Sequence, residues 1–236
     1  MTARSVVLSV LLGAHPAWAT TAQLLRLTVD FDIRENALRV ALTRMAAAGD
    51  LVRSNDGYRL SDRLLARQRR QDAALHPVTG DWSGTWITVV VTAVGTDARA
   101  RAALRLALQD SRFAELREGV WLRPDNLADD LPAEVGGRVR VLQARDDAPA
   151  ELAATLWDLP GWSKTGWELL REMDRANGVP ERFAVAAAMV RHLLVDPVLP
   201  AGLLPTDWPA DRLRTAYAEF ADLLTARRDD QLLEAR

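Results

Sequence analysis

Asn36, Arg39, Val40 and Thr43, with Arg44 at their edge, fall on one side of a helix advanced by about 100° per residue, opposite a stripe of Leu38, Ala41, Leu42 and Met45. These are side-chain types that read duplex DNA. Asn pairs with adenine, Arg pairs bidentately with guanine or holds a phosphate, and the methyls of Val and Thr meet a thymine methyl. Arg34 at the head of the helix, with Arg53, Asn55 and Arg59 just beyond it, completes the candidate DNA-binding set, and Arg53 and Arg59 point towards phosphates. A three-helix core with a surface hairpin and charged, solvated faces accounts for the same pattern.

The elements that must position these residues follow in the order of a winged helix-turn-helix. A short helix (TTAQLLRLTVDF) leads through Asp30-Phe31-Asp32 into a longer one (IRENALRVALTRMAAAGD), and a strand-turn-strand (LVRSNDGYRL) comes next. Asp32 is the expected N-cap, with Glu35 completing a capping box. Gly49 ends the helix. Asp56-Gly57 is expected to supply the positive backbone angles of a tight hairpin.

A formal net charge of -2 does not describe a basic nucleic-acid coat, but its distribution is uneven. Residues 1–75 hold 11 Arg against 7 acidic residues, whereas residues 76–236 hold 19 basic against 25 acidic. A basic N-terminal part with an acidic remainder fits a DNA-binding domain attached to sensing or assembly domains. The chain has no Cys, so disulfides, thiolate metal sites and Cys nucleophiles are excluded. His15, His76 and His192 lack metal-ligand spacing. No Ser-His-Asp signature, P-loop or glycine fingerprint occurs, which argues against an enzyme.

Arg4 followed by SVVLSVLLGA and Ala17-Trp18-Ala19 resembles a secretory signal. The competing reading, and the one favoured, is the first helix of the winged domain, with Val6, Val7, Val10 and Leu11 in its core. No other run approaches the roughly 18 apolar residues of a membrane span, so a cytoplasmic protein without membrane contact is expected. After the wing, Ser61 to Leu75 reads as a helix whose Arg63, Arg67, Arg69 and Arg70 either run beside DNA or face solvent in a connector.

The expected class is α+β in three domains: a winged helix-turn-helix with its connecting helix over 1–75, a small ferredoxin-like domain over 76–150, and a helical domain over 151–236. The middle one rests on a buried strand after Trp82-Ser83-Gly84-Thr85-Trp86, a helix over 97–109, a strand over 119–124 and another over 138–143. In the third, the Pro-rich passage from Asp196 to Pro209 is expected to be a folded loop, because its Leu and Trp can pack while its prolines fix the path.

ALRVALTRMAAAGDL, WSGTW, GVWLRPDNL, LWDLP and DPVLPAGLLPTDWP span nearly the whole chain, and together they resemble the PaaX-like family of transcriptional repressors, known for control of phenylacetic acid catabolism. The resemblance implies the same three domains. It also implies a homodimer on a double-stranded operator, repressing a catabolic operon and released by an acyl-coenzyme A such as phenylacetyl-coenzyme A; no carboxylate cluster, and so no metal or cofactor, is read from the residues. The segment LQDSRFAELREGVWLRP departs from the Gly- and Pro-rich character expected there, which leaves room for a different effector.

Trp121 and Arg123 match the GVWLRP motif and are the candidate effector-binding residues, read as alternating in direction along a strand so that one stacks on the ligand and the other meets phosphate. The alternative, which weighs more, makes Trp121 core and Arg123 an interface anchor. Leu213, Tyr217, Phe220, Leu223 and Leu224 form a stripe that fits a dimer interface or packing within one chain. Two rival functions differ in class. A Cas2-like metal-dependent nuclease needs an acidic residue at the end of the first ferredoxin strand, where Val91, Thr92, Ala93 and Val94 stand, and Asp97 is the nearest carboxylate. A non-DNA-binding adaptor would use the winged domain for protein contacts.

Overall fold

In the computed structural model, residues 1–93, 97–128, 131 and 135–229 are described, and they form an α+β protein with two small antiparallel sheets. Their contacts divide into two compact units: 1–76 with 166–194 and 210–236, and 77–165 with 195–209. The segment 151–236, expected as one helical domain, is therefore shared between the two.

The first unit begins with α1 (Ala3–Gly13), capped by Thr2, and buries Val6, Val7, Leu8, Leu11 and Leu12. Cleavage of the signal-like segment would thus remove a wall of this core. β1 (Trp18–Thr20) leads into α2 (Thr21–Val29), whose capping box is reciprocal: Thr20 Oγ1 accepts from Gln23 N–H, and Gln23 Oε1 accepts from Thr20 N–H. Then come α3 (Glu35–Ala47), β2 (Leu51–Arg53), β3 (Gly57–Leu60) and α4 (Asp62–Leu75). The strands are ordered β1-β3-β2. Leu38, Leu42 and Met45 of α3 join α1, Leu24, Leu51, Leu60 and Leu64 in one core. Gln68 of α4 donates to the carbonyls of Leu11, Leu12 and Ala14, satisfying acceptors that the end of α1 leaves open.

Two helices from late in the chain complete this unit, α8 (Gly178–Leu193) and α9 (Ala210–Asp229). Phe183 meets Phe31 edge-on at 4.9 Å and Phe220 at 6.4 Å. Arg227 Nη1 donates to both carboxylate oxygens of Asp30, at 2.9 and 3.0 Å, joining α9 to the end of α2. Leu213 and Phe220 of the stripe are buried within the chain, while Tyr217, Leu223 and Leu224 are half-buried.

In the second unit, β4 (Trp86–Val91), α5 (Ala98–Asp110), β5 (Ala114–Arg117), β6 (Val120–Pro124) and β7 (Val139–Ala144) build a sheet ordered β5-β6-β4-β7. β5 is an addition to the expected strands. It is short and composed of Ala-Glu-Leu-Arg, so helix-favouring residues hide it. Val89 and Trp121 face α5 with Leu104 and Leu108. Trp86 and Leu122 face the other way, onto Ala153 of α6 (Pro149–Leu156), Leu159 at the start of α7 (Leu159–Arg175), and Leu199 and Leu203. The Pro-rich passage is folded, as expected. Asp196 Oδ1 accepts from Val198 N–H, Asn126 donates to the Val198 carbonyl, and Trp208 stacks on Trp162 at 4.3 Å.

Candidate nucleic-acid interface

The start of α3 differs from expectation. Its N-cap is Arg34, with extended backbone and no side-chain cap, and Asp32 sits two residues earlier at φ 52°. The tight connection from α2, closed by Ile33 N–H to the Thr28 carbonyl at 3.2 Å, uses Asp32 as a left-handed residue, which shifts the helix start. Glu35 is accordingly not half of a capping box: its carboxylate accepts from Arg39 at 2.7 and 2.8 Å.

Arg34, Asn36, Arg39, Val40, Thr43 and Arg44 are all exposed, opposite buried Leu38, Leu42 and Met45. The Thr43 hydroxyl donates to the Arg39 carbonyl at 3.0 Å, which ties its oxygen to the backbone. The Glu35–Arg39 pair is open to water, with side chains 58% and 57% exposed. Pairs of that kind contribute about 0.2–1 kcal/mol, so a phosphate or guanine edge can displace the carboxylate.

The hairpin exposes Arg53, Asn55 and Arg59. Ser54 N–H donates to the Gly57 carbonyl, and Trp18 Nε1–H donates to Ser54 Oγ at 2.8 Å, bracing the turn from β1. Gly57 is needed here for a reason other than a positive φ, since neither it nor Asp56 has one. A Cβ at Gly57 would lie 2.2 Å from the Ala19 carbonyl oxygen, so the glycine lets β1 close on β3.

Asp50, at the joint between α3 and β2, has a side chain only 6% exposed and takes salt bridges from Arg4 and Arg63. It thereby holds α1 and α4 to the base of the hairpin. This positioning residue was not singled out from the sequence, where an Asp after Gly49 reads as a polar turn. Arg67, Arg69 and Arg70 of α4 are exposed.

Three family descriptions match the chain in order: "PaaX-like protein" over 2–64, "PaaX protein central Cas2-like domain" over 79–151, and "PaaX-like protein C-terminal domain" over 166–234. The chain belongs to the PaaX-like family. A solved structure, described as an uncharacterized protein, Rv0674 from Mycobacterium tuberculosis, is 65% identical over 97% of this chain and 98% of its own, with a TM-score of 0.87. No curated protein matches. PaaX is a family of regulators, and its first match takes in every candidate DNA-binding residue.

Trp121 and Arg123 fall in the central PaaX match, and the structure buries both, at 1% and 2% exposure. Being two residues apart, they share a face of the sheet instead of alternating. Trp121 lies in the core against α5 with Arg105 over its ring at 5.4 Å. Arg123 donates to the Ser111 carbonyl at 3.0 Å and rests over Phe113 at 4.8 Å. Neither offers a ligand an open surface. At the end of β4 stand Val91, Thr92 and Ala93, while Val94 lies outside the described residues. Asp97 is used as the cap of α5, accepting from Ala100 N–H. Among the described residues no cluster of three His, Asp or Glu is arranged for a metal, and no helix is long and apolar enough to cross a membrane.

Proposed function

We propose that the chain is a DNA-binding transcriptional repressor of a catabolic operon, reading its operator with a winged helix-turn-helix. The observation that carries the reading is the exposed face of α3, with Asn36, Arg39, Val40, Thr43 and Arg44 in water and Arg53 and Arg59 exposed on the following hairpin, in a chain of the PaaX-like family. Asn36 and Arg39 read bases. Arg53 and Arg59 hold phosphates, while Arg34 and Asn55 flank the contact.

The central domain is read as ferredoxin-like: numbering its strands from one to four, their order across the sheet is 2-3-1-4, and a helix crosses from the first to the second. The protein acts in the cytoplasm as a homodimer, because a single winged domain makes few base contacts and two half-sites about one helical turn apart supply the missing discrimination. An acyl-coenzyme A such as phenylacetyl-coenzyme A releases it. Such a ligand acts only through unequal affinity for the free and DNA-bound forms, and DNA weakens ligand binding by the same factor.

The test is a gel-shift series on the region upstream of the chain's own gene and its neighbours. Arg39→Ala is expected to cost about 1–3 kcal/mol of operator binding and to relax sequence preference. Wild-type binding by that variant overturns the assignment of the reading face, and no binding to any upstream fragment overturns the repressor.

A further inference from the structure

The first unit contains a cavity of about 110 Å³, walled by α1, α2, α4, α8 and α9. One water needs roughly 10–15 Å³ by this measure, so the space accepts a group the size of an aromatic ring or a short acyl chain. Small residues on facing helices, Gly13, Ala187 and Ala221 among them, make the room, and Leu27, Phe183 and Leu224 make it apolar. Three arginines line it, Arg67 from α4, Arg191 from α8 and Arg228 from α9, with no Asp or Glu in the lining.

Some other arginines of the unit have carboxylate partners, Arg4 and Arg63 on Asp50, Arg227 on Asp30 and Arg214 on Asp211. Arg67 and Arg191 have no ion pair or hydrogen bond among the described residues. Ser9, Tyr217 and Thr225 also line the space. Tyr217 Oη accepts from Gln71 at 3.4 Å, which leaves its own proton to donate, and burial raises its pKa further above neutrality.

We propose that this cavity is a binding site for a small amphiphilic anion, whose apolar ring or acyl group lies between α2 and α9 and whose negative charge meets Arg67 and Arg191. It differs from the strand site expected at Trp121 and Arg123. Its consequence for DNA rests on the regulator reading above, while its chemistry does not. Leu27 belongs to the helix preceding the reading helix, and α9 is joined to α2 through Arg227–Asp30, so an occupant pressed between them bears on the placement of α3.

Calorimetry on the full-length protein tests the site with phenylacetate, phenylacetyl-coenzyme A and the neutral phenylacetamide. A free carboxylate and a thioester share an apolar group beside negative charge, and the first two arms separate them. At least one anion is expected to bind 10-fold or more tightly than the amide. Arg191→Ala is expected to weaken it 10-fold or more with little change in Tm, and Ala187→Phe, which fills the space, to abolish it. Equal affinity for anion and amide, unchanged binding in both variants, or no binding by any of the three probes overturns the site. Operator gel shifts run in parallel keep the two readings apart. A ligand that binds and is lost in Ala187→Phe, yet never releases DNA, sustains the site and overturns ligand-controlled repression. Release that persists unchanged in Ala187→Phe overturns the site and leaves the repressor standing.

Discussion

On α3 and the hairpin, Arg39, Arg53 and Arg59 keep their guanidinium groups in water, whereas on β6 Arg123 is 2% exposed, donating to a carbonyl and lying over a ring. The face of α3 with its hairpin and the strand β6 thus use one residue type in opposite ways. A solvated guanidinium is available to an anion at the small cost of displacing water or a weak exposed partner. A buried one has already spent its desolvation on packing, and freeing it for a ligand would expose Phe113 and leave the Ser111 carbonyl open. Arginine in a motif therefore says little about binding until its burial is known.

The largest effect is expected in the second unit. Six of the eight tryptophans lie there, and Trp86 and Trp121 are fully buried on opposite faces of the sheet. Trp121→Ala is expected to lose about 3–5 kcal/mol of stability, read as a lower Tm by calorimetry, because it empties the contact between sheet and α5. A nearly unchanged Tm with lost ligand response would restore Trp121 as a ligand contact and reverse the contrast.

Asp50 gives the next largest effect and crosses the contrast, being a buried carboxylate beneath exposed arginines. Asp50→Ala is expected to cost about 2 kcal/mol, less than removing one partner of a fully buried pair, since Arg4 and Arg63 regain water. Urea denaturation measures it. Because the residue spans α1, α4 and β2, operator affinity should fall as well, even though Asp50 touches no DNA. Normal affinity at full folding would show that the hairpin's base needs no such tie.

Periodicity made α1 and α3 legible, each having one apolar side, and apolar runs bounded by turn residues marked the hairpin, β4 and β6 as strands, although the faces of β6 were misassigned because Trp121 and Arg123, two residues apart, share one. The turn between α2 and α3 was not, since Asp32 and Glu35 have the right types for a capping box and only the backbone path shows them used otherwise. Gly57 was located for the wrong reason: the close approach of Ala19 comes from a strand nearly forty residues away in sequence, beyond local turn rules. The cavity was invisible for a related cause. Its arginines come from α4, α8 and α9, the first more than a hundred residues from the other two, and each alone reads as a solvated charge.

Arg59 should show the smallest effect and the finest distinction. Its guanidinium reaches the Leu60 carbonyl at 3.4 Å and Asp62 at 3.9 Å, long contacts that hold it loosely near the hairpin. In the repressor reading it meets a phosphate and no base, so Arg59→Ala is expected to weaken every sequence alike and to lower the slope of log affinity against log salt by about one. Arg39→Ala, in contrast, should change the ranking of sequences. The measurement is operator and scrambled-duplex titration at several salt concentrations. If Arg59→Ala altered sequence preference while leaving the salt slope intact, the hairpin would be a base reader, and the division between a specifying α3 and a positioning wing would have to be redrawn.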